Sequence, residues 1–352
     1  MKSTILKISV AEGAHAHAVA LLKRVLAMCL PIGMLGLGLS AIVQAQTITT
    51  FDVAGSLATY PTSINGAGAI TGYYTTSNKR YHAFLRAPDG GITTFHVKGS
   101  RGTVALSINA AGAITGSYTD AGHVTRAFLR APDGAITTFA LQGSRGNYAA
   151  SINRTGAITG VYTDARKVAH GFVRTPKGKI TRFDPKGSTE TAAHSINTAG
   201  AITGDYTDAS HVLHGFVRTP DGAITIFDPE HSNGTFADSI NAAGAITGSY
   251  TDAGHVTHGF LRTPDGGITT FEVAGSVATN ATSINGAGAI TGFYPDASDL
   301  NHGFLRAPKG KITTFDPKDS TGTYAASING AGAITGYYTD ATFASHGFLR
   351  SP

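Results

Sequence analysis

The chain has 352 residues, with 45 glycines, no Trp and only 14% charged residues. Its 41% of hydrophobic residues excludes an intrinsically disordered chain, because such chains combine low hydrophobicity with high charge, and the glycine content is typical of an all-β protein with many tight turns. The formal net charge is +5, of which +3 lies in residues 1–45 and +2 in the rest, so no basic block remains to bind nucleic acid.

Residues 1–45 differ from the rest of the chain and are predicted to be a secretory signal peptide. Lys23 and Arg24 precede an apolar run, VLAMCLPIGMLGLGLSAIV, and the tripeptide that ends at Ala45 supplies the small residues of a cleavage site. An uncleaved membrane anchor is the alternative, because the run has nearly the length of a membrane span. The proline and glycines inside the run favour cleavage.

The only cysteine, Cys29, lies in this N-terminal segment. Residues 46–352 can therefore form no disulfide, and their stability must come from packing. A cysteine-free exported protein is typical of bacteria. We expect a secreted, periplasmic or extracellular monomer that has no membrane span after cleavage.

A tripeptide, Ser-Ile-Asn, recurs every 44 residues through the remainder of the chain. Its seven copies begin at Ser63, Ser107, Ser151, Ser195, Ser239, Ser283 and Ser327. No insertion interrupts the series. A strict period of this length indicates one repeat domain over residues 46–352, rather than the two or three domains that the length alone would suggest.

Each period contains four short segments with the composition of β-strands. In the fourth period they span 191–197, 200–208, 214–222 and 224–228, and Gly, Pro, Asn or Asp bound each one. Pro-Asp-Gly after the third segment and Asn-x-x-Gly after the first supply tight turns. Four antiparallel strands in a period of this length match one blade of a β-propeller.

The two ends of the repeat series complement each other. The series starts at residues 48–51 with a fourth segment that has no first three, and it ends at residues 346–350 with a third segment that lacks a fourth. Pairing the two would complete the last blade and remove exposed sheet edges. The sequence therefore predicts an all-β fold, a seven-bladed β-propeller of four-stranded blades whose ring is closed by the N-terminal strand 48–51.

The segment HAFLRAPDG at residues 82–90, its HGFLR variants and the SIN…GAITG stretches resemble a bacterial extracellular repeat family named after its His-Ala-Phe motif, the HAF family. The resemblance covers all seven periods and implies an exported bacterial protein with propeller-like repeats. It implies no activity, because the family has no agreed catalytic residues. Arg126 departs from the pattern, since the other six copies have His at that position.

One repeat position carries tyrosine in every copy and is the candidate for ligand binding. These tyrosines are Tyr74, Tyr118, Tyr162, Tyr206, Tyr250, Tyr294 and Tyr338. They could stack on a sugar while the repeated Asp, His and Arg bond its hydroxyls, as in a multivalent lectin. Alternatively, His and Asp form a polar network inside each blade and the repeated Asn pins a turn. We favour this structural interpretation for His, Asp and Asn.

No motif for catalysis or metal binding stands out. An Asp-x-x-His spacing, with histidines at 123, 211 and 255, occurs in three of the seven copies, but two ligands do not make a metal site. Catalysis needs an asymmetric cluster of groups, whereas this chain is close to sevenfold symmetric. We expect no catalytic residue, no metal and no cofactor.

The sequence thus favours an exported, non-enzymatic binding or interaction module, with a carbohydrate or a cell-surface protein as its ligand. Two alternatives stay open. One is a passive structural protein of the envelope or matrix, and the other is a lyase or hydrolase that acts on polysaccharide at the propeller axis. An asymmetric cluster of acidic and basic residues from different blades at the axis would favour the enzyme.

Overall fold

The computed structural model describes residues 47–352, and the predicted signal peptide lies outside the described residues. Every regular element in this part of the chain is a β-strand. Residues 47–352 accordingly hold no helix that is long and apolar enough to cross a membrane. The all-β prediction is confirmed.

Four strands recur in each repeat, and the repeats are numbered by the order of their Ser-Ile-Asn tripeptides. The first strands are β2 (Ala58–Ile64), β6 (Gly102–Ile108), β10 (Gly146–Ile152), β14 (Glu190–Ile196), β18 (Ser232–Ile240), β22 (Asn280–Ile284) and β26 (Gly322–Ile328). The second strands are β3 (Ile70–Thr75), β7 (Ile114–Thr119), β11 (Ile158–Thr163), β15 (Ile202–Thr207), β19 (Ile246–Asp252), β23 (Ile290–Pro295) and β27 (Ile334–Thr339).

The third strands are β4 (Tyr81–Arg86), β8 (Thr125–Arg130), β12 (Ala169–Arg174), β16 (Leu213–Arg218), β20 (Thr257–Arg262), β24 (Asn301–Arg306) and β28 (Ser345–Arg350). The fourth strands are β5 (Ile92–Phe95), β9 (Ile136–Phe139), β13 (Ile180–Phe183), β17 (Ile224–Phe227), β21 (Ile268–Phe271), β25 (Ile312–Phe315) and, at the start of the series, β1 (Ile48–Phe51).

Within each repeat the strands pair antiparallel in chain order. The seventh repeat takes its fourth strand from the start of the series, because β1 pairs with β28 in a register that sets Ile48 against Arg350 and Phe51 against Gly347. Single parallel bridges, Ala58 to Ser345 and Leu213 to Gly234, join two pairs of neighbouring sheets. The predicted pairing between the two ends of the series is therefore present.

A close approach of two strands explains one invariant glycine in each repeat. A Cβ atom on Gly72 would lie 2.2 Å from the carbonyl oxygen of Tyr60 and 2.8 Å from the ring of Phe84. Equivalent glycines in the other six repeats would place a Cβ within 1.9 to 2.1 Å of a first-strand carbonyl oxygen. Only glycine allows the first and second strands to pack at this distance.

The hydrophobic core lies between neighbouring repeats. Ile114 and Phe128 of repeat 2 have no exposed surface and pack against Ala83 and Phe95 of repeat 1. The guanidinium of Arg130 lies 5.0 Å from the centre of the same Phe95 ring. Each repeat thus covers an apolar face of the next, and each buried Phe stabilises the fold by about 1.5–3 kcal/mol.

The Ser-Ile-Asn tripeptides bind neighbouring repeats to one another. The side-chain amide of Asn65 donates to the backbone carbonyl of Asn109 at 3.1 Å, and its Oδ1 accepts from the N–H groups of Ala67 and Ala69. The hydroxyl of Ser63 accepts from the N–H of Ile108. We call the seven tripeptides and these bonds the Ser-Ile-Asn collar.

The collar includes the first and last repeats. Asn329 donates to the carbonyl of Asn65 at 3.0 Å, and the N–H of Ile64 donates to the hydroxyl of Ser327 at 3.4 Å. The first strands of neighbouring repeats are in contact throughout, and β26 also contacts β2. Every copy of the tripeptide therefore makes the same contacts with the next one.

Candidate functional site

The structure places the seven candidate tyrosines against other side chains of their own repeats. Tyr162, Tyr206, Tyr250 and Tyr294 are buried, and the other three are half-buried. Six of the rings lie face to face with, or tilted over, the histidine on the adjacent third strand, at centroid distances of 5.0 to 5.4 Å. One face of each of these rings is therefore already in contact within the protein.

The repeated histidines are held between carboxylates in repeats 3 to 7. In repeat 4, His214 Nδ1 lies 2.7 Å from Asp228 Oδ2, and its Nε2 lies 3.5 Å from Asp208 Oδ2. Burial lowers the pKa of His214, but the hydrogen bonds and charges of the two carboxylates outweigh it and raise the pKa above 6.5. This pairing agrees with the interpretation of His and Asp as a polar network within each repeat.

Repeats 1 and 2 lack this carboxylate–histidine arrangement. His82 faces a second histidine, His96, at a centroid distance of 6.3 Å, and burial, His96 and a nearby arginine lower its pKa. In repeat 2, Arg126 replaces the histidine and forms an ion pair with Asp120 at 2.6 Å. The departure of Arg126 from the repeat pattern thus keeps a cation beside the turn carboxylate.

The Asp-x-x-His residues form turns. His123, His211 and His255 share a left-handed backbone φ of 63°, a conformation that His adopts more readily than most residues. The aspartate of each motif accepts hydrogen bonds from backbone N–H groups of the same turn, as Asp120 does from Gly122 and Val124. Residues 47–352 contain no group of three or more His, Cys, Asp or Glu side chains arranged to hold a metal.

The seven repeated arginines contact the preceding repeat. Each guanidinium lies 4.9 to 5.0 Å from the centre of a fourth-strand Phe ring, as Arg262 does over Phe227. Six of the seven arginines are buried, and desolvation lowers the pKa of Arg262. These cation–π contacts fasten adjacent sheets, a role that the sequence analysis missed.

One pair of facing positions on the first and second strands differs between the repeats. Tyr60 on β2 stands directly opposite Tyr73 on β3, and Tyr324 on β26 stands opposite Tyr337 on β27. The same paired positions hold Val and Ser in repeat 2, and Ala and Asp in repeat 4. The sevenfold symmetry of the repeats is therefore broken at this pair of facing positions.

Six aromatic rings at and beside these positions form one continuous series across repeats 6, 7 and 1. Neighbouring centroids are 4.6 to 5.5 Å apart. We call the series the aromatic wall; its members, in contact order, are Phe293, Tyr324, Tyr337, Tyr60, Tyr73 and Tyr81.

The aromatic wall remains partly open to solvent. Tyr73 is 6% exposed and Tyr81 is 41% exposed, and the other four rings lie between these limits. Burial, with the neighbouring phenols, raises the pKa of Tyr73. Two aliphatic side chains just before first strands, Leu57 and Val277, are 60% and 50% exposed. A continuous series of partly exposed aromatic rings is a candidate binding surface.

An acid–base cluster breaks the symmetry of repeats 4 and 5. His194 on β14 lies with its Nε2 2.6 Å from Oδ1 of Asp205, which is on β15 and almost fully buried. His194 keeps 31% of its side chain exposed. Asp238 on β18 acts electrostatically on His194 from the next repeat. We call these three residues the acidic–histidine cluster.

The cluster perturbs the protonation of its members. Burial alone lowers the pKa of His194, but Asp205, through its charge and hydrogen bond, and Asp238 together raise it to about 9. Burial raises the pKa of Asp238 to about 7; His194 opposes this rise and Asp205 adds to it. Strongly perturbed groups that belong to one cluster are frequent at functional sites.

Sequence reasoning relied on the near-sevenfold symmetry of the chain and missed this cluster. The informative position immediately precedes each Ser-Ile-Asn tripeptide. Five copies hold Thr62, Leu106, Ala150, Thr282 and Ala326, and the remaining two hold His194 and Asp238. Titratable residues in two consecutive repeats, at a position that is uncharged in the other five, are a sequence signal that could have indicated this cluster.

Comparisons with known proteins concern the fold of the chain. No family model matches the chain, and no curated protein matches it. A streptogramin B lyase structure is similar with a TM-score of 0.58 and 14% identity, over 87% of this chain and 98% of the other. The β-propeller domain of the Trilobed protease from Pyrococcus furiosus is similar with a TM-score of 0.58 and 8% identity, over 83% and 95% of the two chains.

A puromycin hydrolase structure gives a TM-score of 0.57 and 12% identity, over 84% of this chain and 55% of the other. At these identities the likeness concerns the fold and not the activity, because one fold carries many functions. The chain is thus similar in fold to the propellers of these proteins, and its described part has a β-propeller fold.

Proposed function

We propose that residues 46–352 form a closed seven-bladed β-propeller that is exported and binds a glycan at one mouth of its axis. Closure is supported by the pairing of β1 with β28 and by the hydrogen bond from Asn329 to Asn65. The first strands of neighbouring repeats contact one another, as the innermost strands of a closed ring would. Each repeat is then one blade, and export follows from the predicted signal peptide.

The repeated polar residues serve the scaffold in this proposal. The collar, the carboxylate–histidine network and the arginine–phenylalanine contacts use Asn, Ser, His, Asp and Arg to join strands and blades. A rigid ring of equivalent blades positions the residues that differ between them. The ligand site is therefore expected where the repeats differ.

The aromatic wall is the observation that carries the proposal. A sugar ring has a face of C–H groups that packs on aromatic rings, and hydroxyls at its edge that bond polar side chains. In a ring of seven blades, blades 4 and 5 lie across the axis from blade 1. The acidic–histidine cluster would then face the part of the wall that belongs to repeat 1 and supply the polar groups.

The test is direct binding of neutral hexasaccharides, such as cellohexaose, mannohexaose and xylohexaose, to residues 46–352 by calorimetry. We expect one of these sugars to bind and Tyr324→Ala to weaken its binding by about fivefold or more, because a lost aromatic stacking contact is worth on the order of 1 kcal/mol or more. Tyr148→Ala is the matched control, since Tyr148 holds the same repeat position outside the wall. Equal affinities of the two variants would contradict the proposal.

The acidic–histidine cluster favours a second candidate, a polysaccharide lyase or hydrolase. It is an asymmetric cluster of acidic and basic residues from two repeats, the feature that the sequence analysis named as favouring an enzyme. The test is incubation with plant and bacterial polysaccharides, followed by assays for new reducing ends and for unsaturated products. Activity that His194→Ala abolishes would replace the binding proposal.

A further inference from the structure

Asp238 occupies a bulge in the first strand of repeat 5. The register between β18 and β19 shifts between Phe236 and Ser239, and His194 holds the equivalent place in repeat 4. A bulge leaves a residue outside the ladder and re-aims its side chain, which is why bulges are frequent beside functional sites.

No N–H or O–H group among residues 47–352 donates a hydrogen bond to the carboxylate of Asp238, and its neighbours His194 and Asp205 bond each other. A half-buried carboxylate without a protein donor depends on water for its hydrogen bonds, and the hydroxyls of a ligand can replace that water. The other six repeats have no acid at this position, so the fold does not require one.

An exposed aromatic ring lies on the same strand. Phe236, two residues before Asp238, is 39% exposed although its neighbour Ala237 is fully buried. The two residues stand two positions apart on one strand, so this strand carries both an exposed apolar ring and a carboxylate to which no group among residues 47–352 donates. A sugar needs that combination, because its C–H face packs on the ring and adjacent hydroxyls donate to the carboxylate.

We propose that Phe236 and Asp238 form a subsite for one neutral sugar unit, in which Asp238 accepts hydrogen bonds from two adjacent hydroxyls. The inference rests on the proposed glycan binding and names the residues that fix the sugar's orientation. His194 is a positioning residue: Asp205 orients it, and its positive charge favours the charged form of Asp238.

The subsite makes sugar binding dependent on pH. The groups that act on Asp238 are His194 and Asp205, while the first strand of repeat 6 carries Asn280 and Thr282, which do not titrate. With a pKa of about 7, Asp238 changes from mostly protonated to mostly charged between weakly acidic and weakly basic pH. His194, with a pKa of about 9, keeps its charge over most of this range.

The experiment measures binding of cellohexaose, mannohexaose and xylohexaose to residues 46–352 by calorimetry at about pH 5.5 and about pH 8. If only the charged carboxylate binds, the affinity rises roughly thirtyfold between these values. Asp238→Asn should weaken binding at the higher pH and abolish the rise. Phe236→Ala should weaken sugar binding at both pH values, but the affinity should still rise with pH.

Asp184→Asn is the matched control, because Asp184 belongs to the equivalent carboxylate–histidine pair of repeat 3 and makes no hydrogen bond to the strand that carries the subsite. It should leave binding and its pH dependence unchanged. Thermal unfolding checks that each variant folds. Asp238→Asn should unfold at no lower temperature than the wild type, since burial disfavours the charge that the substitution removes.

The outcomes separate the two proposals. If Tyr324→Ala weakens sugar binding but Asp238→Asn leaves it unchanged, the subsite is overturned and the proposed glycan binding stands. Absence of binding by all three hexasaccharides at both pH values would overturn both. If the sugar affinity of Asp238→Asn still rises with pH, the subsite is also overturned, because another group would then be responsible for the pH dependence.

Discussion

Asn329 in the seventh repeat donates a hydrogen bond of 3.0 Å to the backbone carbonyl of Asn65 in the first, across 264 residues of sequence. The same bond joins each other asparagine of the collar to the next one, 44 residues away. One side chain therefore both pins a turn within its own repeat and fastens that repeat to its neighbour.

Asn329→Ala should destabilise the protein by about 1–3 kcal/mol, because Oδ1 also accepts from the N–H groups of Ala331 and Ala333, which would be left without this partner. For a domain of this size, a loss of that magnitude lowers Tm by several degrees. Calorimetric unfolding measures it, with Asn233→Ala at an exposed position as the control. Equal Tm values for the two variants would contradict the role assigned to the collar.

Gly72→Ala should destabilise the protein by more than about 2 kcal/mol, since the new Cβ would lie 2.2 Å from a backbone oxygen that cannot move without breaking the β2–β3 ladder. Gly66→Ala is the matched control, because nothing lies within 4 Å of a Cβ there. Denaturant titration gives both values. If the two substitutions lowered the free energy of unfolding equally, the first and second strands would not approach as closely as described.

Removing β1 tests closure of the ring. A chain that begins after Phe51 loses the partner of β28 and the ring against which Phe84 and Arg86 pack. We expect a much less stable protein with a broadened unfolding transition, because an unpaired edge of β28 and an apolar face become exposed. A chain that begins at residue 46 serves as the reference. Unchanged stability would mean that the pairing contributes little.

The strand architecture could be predicted from the sequence because it depends on local patterns. Short β-rich segments bounded by turn residues recur at a fixed period, and the strands lie where these segments were predicted, with β1 against β28. The turn role of Asn65 was predicted for the same reason, since its Oδ1 bonds backbone groups only two and four residues ahead.

Contacts between repeats could not be predicted in this way. Spacing in sequence does not tell which atoms of adjacent sheets approach, so the bond from Asn65 to Asn109 and the position of Arg130 over Phe95 were missed. The acidic–histidine cluster was missed for another reason. Describing the chain by what its repeats share hides the positions at which His194 and Asp238 differ from their equivalents.

The carboxylate–histidine pairs should make the protein less stable as the pH rises above neutrality. In His214, His302 and His346, burial lowers the pKa but bonded carboxylates raise it above the unfolded value of 6.5. The folded state therefore binds these protons more tightly than the unfolded state does. Their stabilisation is fully present below about pH 6.5 and is lost as the pH rises through the folded-state pKa.

The matching experiment compares Tm at about pH 6 and about pH 9 for the wild type and for His214→Gln. The substitution should lower Tm more at the lower pH, where His214 is charged and bonds both Asp208 and Asp228. His231→Gln is the control, because that side chain is 82% exposed; any loss of Tm from its left-handed backbone, with φ of 63°, should be the same at both pH values. A protonated histidine between two carboxylates must lose part of its stabilisation on deprotonation. If His214→Gln lowers Tm equally at both pH values, the pair is therefore held by packing and a neutral hydrogen bond.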